Sequence, residues 1–590
     1  MLKNHLRLLI RAGLIRESAP APASDYLFRH ELMQDVAYHS LLREDRVRLH
    51  HAVGESLEQI YAGQLEEFAS LLAHHFYEAN AKEQAFKYYA LAAAQDARSY
   101  ASEEAIFHYN RALALIPDEG VEAGVLLDLY LGRGRVLEVC GRYEEALAGY
   151  RELLALANAR GNSAMELAAL MAAATLLSTP NPVYNPEEGE ATLKRALQIA
   201  TILGKREAEA QILWTLLLLV QYSAGDPERA IAYGEQALQI ARTLHLRGRL
   251  AYILNDLPSP YWITGRLEEA RAAQREAGQL WEEFGNIPMW VDNLEGRARF
   301  CFTCGEYDEA IRLTEQALSL SRSIDHKWGQ VQSRFFVGHV YIDTGRLGEA
   351  ISLMEEAAQL AEEAGHTPVR LAVTTDLGWL YGTLGAVEEG LTLAARALEW
   401  ARPRFGYLQS WPLSIMARLY LLQGNLAEAE RALAESKQSY TSNLDLVLIP
   451  VSHMLAVGEV ALAAHRHDEA LAASDDLLAY LRKTHTRVFV PDAFLLRAQT
   501  LLVQRQEDGA RPALEEALAH AETLGSRRIL WRILALLGEL EEQQGNHEAA
   551  HARRQAAREH ITYIVEQIHL PTLRQTFLTS PPVRTLFADS

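Results

Sequence analysis

Few stretches of this chain carry residue types at spacings that could do chemistry. His30-Glu31 has the opening of a helical zinc-protease motif, in which histidines four apart hold the metal and the glutamate between them acts as base. The residue four after His30 is Gln34, so the second ligand is missing and a packed helix start is the better reading. Cys301-Phe-Thr-Cys304 is a lone Cys-x-x-Cys, and the third cysteine is Cys140. Zinc needs a second pair, and a redox motif would follow a strand where this one follows a helical pattern. Core packing is the reading, with a thiol sensor as its alternative. His50-His51 and His74-His75 are neighbours on helices, so the members of each pair point to different faces and suit packing or an interface. Gly204-Lys205 lacks the upstream glycine and following hydroxyl of a phosphate-binding loop, and no such loop occurs elsewhere. No catalytic residue, no metal and no cofactor is expected.

The elements behind these residues follow a ruler. A small residue, cleanest in the form Gly-x-x-x-Glu-Ala, falls at Ala105, Ala146, Gly189, Ala230, Ala270, Ala310, Ala350, Gly390, Ala429, Ala470, Ala510 and Ala550, in steps of 39 to 43 residues. A period of this size means stacked like units, so the 590 residues need not form several separate cores. Around residues 331–364 the apolar positions Phe336, Val337, Val340 and Tyr341 precede Gly345, and Leu347, Ala350, Ile351, Leu353, Ala357 and Leu360 follow it at helical spacing. Glycine there supplies the left-handed backbone that stops one helix before the next. The same turn glycine recurs at Gly141, Gly225, Gly265, Gly305, Gly385, Gly424 and Gly545. Seven positions before the turn stands a second small residue: Gly134, Ala298, Gly338, Gly378, Ala417, Gly458, Ala498 and Gly538. Glycine inside a helix costs about 1 kcal/mol relative to alanine, so its recurrence in register points to close approach of paired helices.

The bulk composition excludes several classes. A chain 49% hydrophobic and 23% charged folds, and a net charge of -20 repels phosphate backbones, so nucleic acid is not an expected partner. Three cysteines exclude a disulfide framework and fit a reducing cytoplasm. The N-terminus has basic residues within its short apolar pattern and no small-residue cleavage site, and apolar runs such as 213–220 are too short to cross a bilayer. No membrane association is expected.

The hairpin resembles the tetratricopeptide repeat. The small residue of the first helix, the aromatic three later (Tyr341, Tyr381, Tyr420), the turn glycine, and the Ala310, Ala317 and Leu318 pattern of the second helix all match. The usual unit has 34 residues, and six more add over one helical turn. That longer unit resembles the sensor arrays of large bacterial signalling ATPases. The resemblance implies an all-α, right-handed α-α superhelix, a TPR-like solenoid of about twelve hairpins.

Residues 26–116 resemble the segment joining the ATPase core to the repeats in STAND-type ATPases, including those found with adenylate cyclase domains and with transcription activators. The matching residues are Phe28, His30, Gln34, Ala37, Tyr38, Arg46, Leu49, His50, Leu72, Ala73, His75, Phe76, Ala85, Tyr88 and Glu104-Ala105. Ahead of them, LRLLIRAGLIRESAPAPASDYLFRH resembles the last helix and wing of a winged-helix module, with residues 19–23 as wing tip or bridge. The preceding helices of that module and the P-loop have no counterpart, so a fragment, a late start or a split gene is expected. The expected organisation is a winged-helix remnant over 1–27, a helical adaptor over 28–100, the array over 101–552, and a closing helix and tail over 553–590.

In tetratricopeptide arrays the first helix of each pair lines the concave face. Counting back from each turn carries that register to Asn255 and Trp262, then Asp292, Glu295, Arg299 and Phe302, then Phe335, His339 and Asp343, then Thr375 and Trp379, then Trp411 and Arg418. Aromatics and arginine beside acids suit a peptide or small-molecule groove, while some of these rings would serve only packing between repeats. Two units break the pattern. Prolines 180, 182 and 186 stand where one helix would end and its partner start, and Pro258 and Pro260 stand inside a first helix. Proline there costs about 3 kcal/mol and kinks or ends the helix, which would either be a benign irregular turn or widen the array and open a notch near Trp262.

The function implied is a non-enzymatic, cytoplasmic sensor scaffold of a signalling ATPase. Its partner would be a protein, a peptide or a small inducer on the concave face. The alternatives are a regulatory subunit acting with a separately encoded ATPase or cyclase, and a structural assembly scaffold.

Overall fold

A computed structural model describes residues 2–17, 26–117, 120–179, 181–223, 225–403, 405–441 and 447–588. The expectation for residues 19–23, and that for Pro180, lie outside these. The chain divides into two compact units, one of residues 1–177 and 181–199, the other of residues 178–180 and 200–590. The chain passes to the second unit at 199–200, and residues 181–187 lie in the first. Asn185 there caps the helix Pro186–Ile202 by accepting from the Glu188 amide at 3.2 Å.

The fold is an all-α superhelical solenoid of helical hairpins. Each ruler residue is the fourth residue of a second helix, as Ala310 is in Tyr307–Ser323 and Ala350 in Leu347–Glu363. The ruler positions are buried. The recurring Gly-x-x-x-Glu has a physical cause: an arginine after the turn clips the glutamate three residues on. Arg142 holds Glu145, Arg266 holds Glu269, Arg346 holds Glu349 and Arg466 holds Glu469, at 2.7, 3.0, 2.7 and 2.9 Å. Such solvent-exposed pairs add little stability, and the carboxylate also suits the helix N-terminus.

The turn itself is set by backbone bonds. Arg346 N donates to Tyr341 O at 2.8 Å across a left-handed Gly345 (φ 86°). His465 and Arg505 take the same left-handed role without being glycine (φ 58° and 59°). Gly225 N donates to Val220 O at 2.8 Å, and a Cβ on Gly225 would sit 3.0 Å from a Val220 methyl.

In the first unit an antiparallel ribbon pairs Ile15–Glu17 with Tyr26–Phe28. The helix Glu31–Ser40 that follows buries none of its residues. Tyr38, His50 and His75 meet at 3.0 and 2.9 Å, and burial pushes both histidines below the usual imidazole range. The core beneath is built from Leu72, Phe76, Tyr88, Tyr109, Leu137 and Tyr150.

In the second unit the first helices follow one another as neighbours, from Ile287–Thr303 through Lys327–Thr344, Thr367–Thr383, Ser410–Leu422, Leu448–Ala463 and Val490–Val503 to Arg527–Gln543. Successive turns of this superhelix touch. The Gly265 carbonyl accepts from His485 at 3.1 Å, Thr303 O from Arg487 N at 2.7 Å, and Leu384 O from Thr576 Oγ1 at 2.9 Å. A Cβ on Gly265 would sit 2.7 Å from Lys483 O, and one on Gly385 would sit 2.9 Å from Thr576 O. These two glycines therefore serve both the left-handed turn and the contact with the next turn of the superhelix. Beyond His547–Gln567, two short helices, Pro571–Thr579 and Pro581–Ala588, bury Leu573, Phe577, Val583 and Leu586. Among the described residues no helix is long and apolar enough to cross a membrane.

Candidate functional site

The neighbouring first helices of the second unit carry a ladder of polar and aromatic side chains, and the helical register that projects them is regular. His339, Trp379 and Arg418 each stand six residues before Gly345, Gly385 and Gly424. The close pairing enforced by the small residues keeps these helices side by side, so equal positions line up.

At the first rungs, the helix expected over the 255–262 segment is split into Arg247–Asp256 and Pro258–Ile263, with Pro258 at the first position of the second piece. Asn255 Nδ2 donates to Asp292 Oδ2 at 2.8 Å, and Trp214 Nε1 donates to Asp256 Oδ2 at 2.7 Å. Ser333 Oγ donates to Glu295 at 2.8 Å. Burial raises the carboxyl pKa at Asp292 and Glu295, and Asp256 is pushed up to about 7 by burial, with Asp292 adding to it and the Trp214 bond opposing. Trp262 is buried in the kink against Phe300, ring centroids 5.5 Å apart. Arg299 is half-buried and contributes charge toward Asp292.

Asp256 carries a pH prediction. The folded protein holds its proton up to about pH 7, whereas the unfolded chain loses it near 3.8. Stability from this group is therefore complete below pH 3.8 and is lost as pH rises through 7. Asp256→Asn keeps the acceptor for Trp214 and should flatten that slope, adding about 2 kcal/mol at pH 8 after allowance for partial solvent screening. Urea midpoints of both proteins at pH 5 and 8 check it. A slope unchanged by the substitution places the titration elsewhere.

At the middle rungs, Phe302, Phe335 and His339 form one aromatic group, with His339 4.5 Å from Phe335 and 5.7 Å from Phe302 between ring centroids. His339 Nδ1 donates to Phe335 O at 2.8 Å, because a carbonyl only accepts. Nε2 then meets Asp376 Oδ2 at 2.8 Å and shares one proton with it. Burial pushes the Asp376 carboxyl up, against the pull of His339. Asp343 accepts from Tyr307 OH, from Ser526 Oγ at 2.7 Å and from Arg528 Nε at 3.0 Å, joining two turns of the superhelix.

At the last rungs, Arg418 lies 3.8 Å over the Trp379 ring and donates in a fork to Glu459 at 2.8 and 2.9 Å. Trp379 stays half-buried. Thr375 and Trp411 are fully buried, and Thr375 Oγ1 donates to Leu371 O in its own helix at 2.8 Å. The structure thus joins Asn255 to Asp292, Phe302 and Phe335 to His339, and Trp379 to Arg418, while it places Trp262, Thr375 and Trp411 inside the packing.

Sequence reasoning missed Asp256, Ser333, Asp376, Glu459, Asp492, Arg528 and Arg532. The signal for three of them was available. Glu459 stands six before His465, as Arg418 does before Gly424. Asp492 and Arg532 stand thirteen before Arg505 and Gly545, as Trp411 does before Gly424. The small residues Gly458, Ala498 and Gly538, seven before those turns, already marked that register.

Cys301 and Cys304 are buried free thiols, and Cys140 is exposed. Burial raises the pKa of Cys304 and pushes that of Cys301 up to about 12. A depression of about 410 Å³ is lined by Gly406, Tyr407, Gln409, Glu435, Gln438 and Ser439, none of them among the expected inner-face residues.

Among solved structures the chain is similar to a Rap protein complexed with competence and sporulation factor, at 13% identity over 62% of this chain and 99% of that one, with a TM-score of 0.42. It is also similar to the apo form of the quorum sensor NprR from B. thuringiensis, at 13% identity over 60% and 98%, TM-score 0.42. A third is the APC/C hetero-tetramer Cut9–Hcn1, at 12% identity over 84% and 96%, TM-score 0.31. No curated protein matches the chain. Residues 208–529 match the model of the MalT-like TPR region, and this stretch contains every one of the inner-face residues above from Asp256 to Arg528. With more than half of its length matched and its hairpins stacked in that way, the chain belongs to the MalT-like TPR region family.

Proposed function

We propose that the chain is a non-enzymatic sensor scaffold that binds a peptide, a protein or a small inducer on the inner face of its second unit. The observation that carries this is the Trp379–Arg418–Glu459 group. A half-buried indole beneath a guanidinium offers apolar area and directed donors at one place, as recognition sites do. In a complete relative this region would hold an attached ATPase off until the ligand arrives, and the protein would work in the cytoplasm. That link is supported by the residues of the head, where Tyr38, Arg46, His50 and His75 come together. In this reading residues 1–27 and 28–100 are the winged-helix remnant and adaptor, 101–552 the array and 553–590 its cap.

The test is affinity capture from a lysate of the source cell, with mass spectrometry of bound proteins and small molecules. Trp379→Ala combined with Arg418→Gln should reduce capture of the specific ligand at least about tenfold, since aromatic and arginine anchors commonly carry 2 kcal/mol or more. Helical content by circular dichroism should remain. Unchanged capture moves the site elsewhere, and ATP hydrolysis by the purified chain alone overturns the non-enzymatic reading.

A further inference from the structure

Three arginines stand near one another on the inner face of the second unit, and two of them are neutralised. Arg418 is forked onto Glu459. Arg528 donates to both oxygens of Asp492 at 2.8 Å each and to Asp343 through Nε. The third is Arg532. It lies four residues after Arg528 on the helix Arg527–Gln543, and so on the same helical face. It has no hydrogen bond and no ion pair with any described residue, and it is half-buried.

The charges that act most on Arg532 are Glu459, Asp492, Arg418 and Arg528. Neither carboxylate is free for it: Glu459 is forked by Arg418, and Asp492 together with Asp343 holds Arg528, so Arg532 has no counter-ion of its own. Burial depresses its pKa, the mark of a cation held out of water without a counter-ion. A guanidinium stays protonated in proteins, so it cannot escape that cost by losing its proton. Desolvating an unpaired charge is among the more expensive arrangements a fold can keep.

We propose that Arg532 is the anchor for a singly charged carboxylate on the ligand of the inner face. The proposal rests on the reading of that face as the ligand surface and adds the ligand's charge class. The planar fork of a guanidinium matches a carboxylate in two parallel hydrogen bonds. A carboxylate gives Arg532 a counter-ion of its own with a single negative charge, whereas a phosphate dianion would place two beside Glu459 and Asp492. Arg418 connects this anchor to the Trp379 ring, which presents apolar surface next to the charged group.

The carboxylate could belong to a peptide C-terminus or to a small organic acid, and the experiment separates them. The full chain is studied by thermal melting and equilibrium binding with four probes. These are a mixed hexapeptide pool without Asp or Glu and with free C-termini, the same pool amidated, butyrate, and inorganic phosphate. Binding of the free-acid pool over the amidated pool identifies a peptide terminus. Binding of butyrate without preference between the pools identifies a small acid. In either case Arg532→Gln should weaken the bound probe about 10- to 100-fold, the range of hydrogen bonds to charged groups. The ligand-free Arg532→Gln protein should melt at the same temperature or higher, because an unpartnered cation has been removed.

Equal binding by Arg532→Gln and wild type, preference for phosphate, a lowered melting temperature of the ligand-free variant, or binding of no probe overturns the proposal. If the amidated pool binds as tightly as the free one, and that binding is lost in the Trp379→Ala, Arg418→Gln protein, the carboxylate anchor fails while the inner face stands. If that double variant retains all binding, both fail.

Discussion

Asp343→Ala is expected to destabilise the second unit by about 3–4 kcal/mol, near the lower end of the range for breaking a buried ion pair. Asp343 is 2% exposed and receives three donors, Tyr307 from one helix and Ser526 and Arg528 from the start of another. Alanine leaves the tyrosine and serine hydroxyls buried without their acceptor, at about 1–3 kcal/mol for each group left unpaired. The effect stays below the top of the range because Arg528 keeps both bonds to Asp492. Burial works against the Arg528 charge, and Asp492 with Asp343 overcomes it, so the guanidinium remains firmly protonated. Ser526 and Arg528 lie 183 and 185 residues from Asp343, so the bonds lost are those that hold one turn of the superhelix to the next. Amide exchange should therefore quicken in Lys327–Thr344 and Arg527–Gln543 together. Urea unfolding gives the magnitude. A cost below about 1 kcal/mol would mean that backbone contacts along the turns hold the closure without this carboxylate.

Gly390→Ala is expected to destabilise by about 2 kcal/mol, although alanine is what the ruler carries at most of its positions. Helix propensity alone predicts a gain of about 1 kcal/mol. The added Cβ, however, would stand 2.4 Å from Gly378 O and 3.1 Å from Gly382 N. Both obstacles are backbone, so the helices Thr367–Thr383 and Val387–Ala401 must separate, and overpacking of that kind costs about 1–3 kcal/mol or more. Gly338→Ala is the control. Gly338 stands seven before its turn as Gly378 does, but its Cβ would meet the Met354 side chain at 3.1 and 3.2 Å. A methionine can move, so that substitution should lie within about 0.5 kcal/mol of neutral. Thermal melts of the two variants decide the matter. If Gly390→Ala is as mild as Gly338→Ala, the close approach at Gly378 does not limit the pairing.

That pair of glycines shows how far a repeat can be read. Gly338 and Gly378 occupy one position of one motif, and their sequence neighbourhoods give no reason to treat them differently. The partner is Met354 in one case and the Gly390 backbone in the other, and only packing distinguishes them. The inner face divides in the same way. Counting back from the turn glycines reached Asn255, Asp292, Phe302, Phe335, His339, Trp379 and Arg418, which do meet in pairs. The same count named Thr375 and Trp411, which the structure buries completely. It stopped at Arg418 although Gly458, Ala498 and Gly538 mark the same register in the next three units, two of which turn left-handed at His465 and Arg505 without glycine.

What the chain specifies locally is the hairpin: its period, the turn, the small residues that pair its helices, and the face that each first helix presents. These depend on residues within one period, where hydrogen bonds of the helix and contacts at three and four residues set the pattern. The tertiary structure alone decides which turns of the superhelix touch, why Gly265 and Gly385 sit against the Lys483 and Thr576 backbones, and where Arg532 is left without a partner. Those outcomes come from a small rotation per hairpin summed over many hairpins. A residue 183 to 220 positions away is brought into contact by that sum, and no single repeat encodes it.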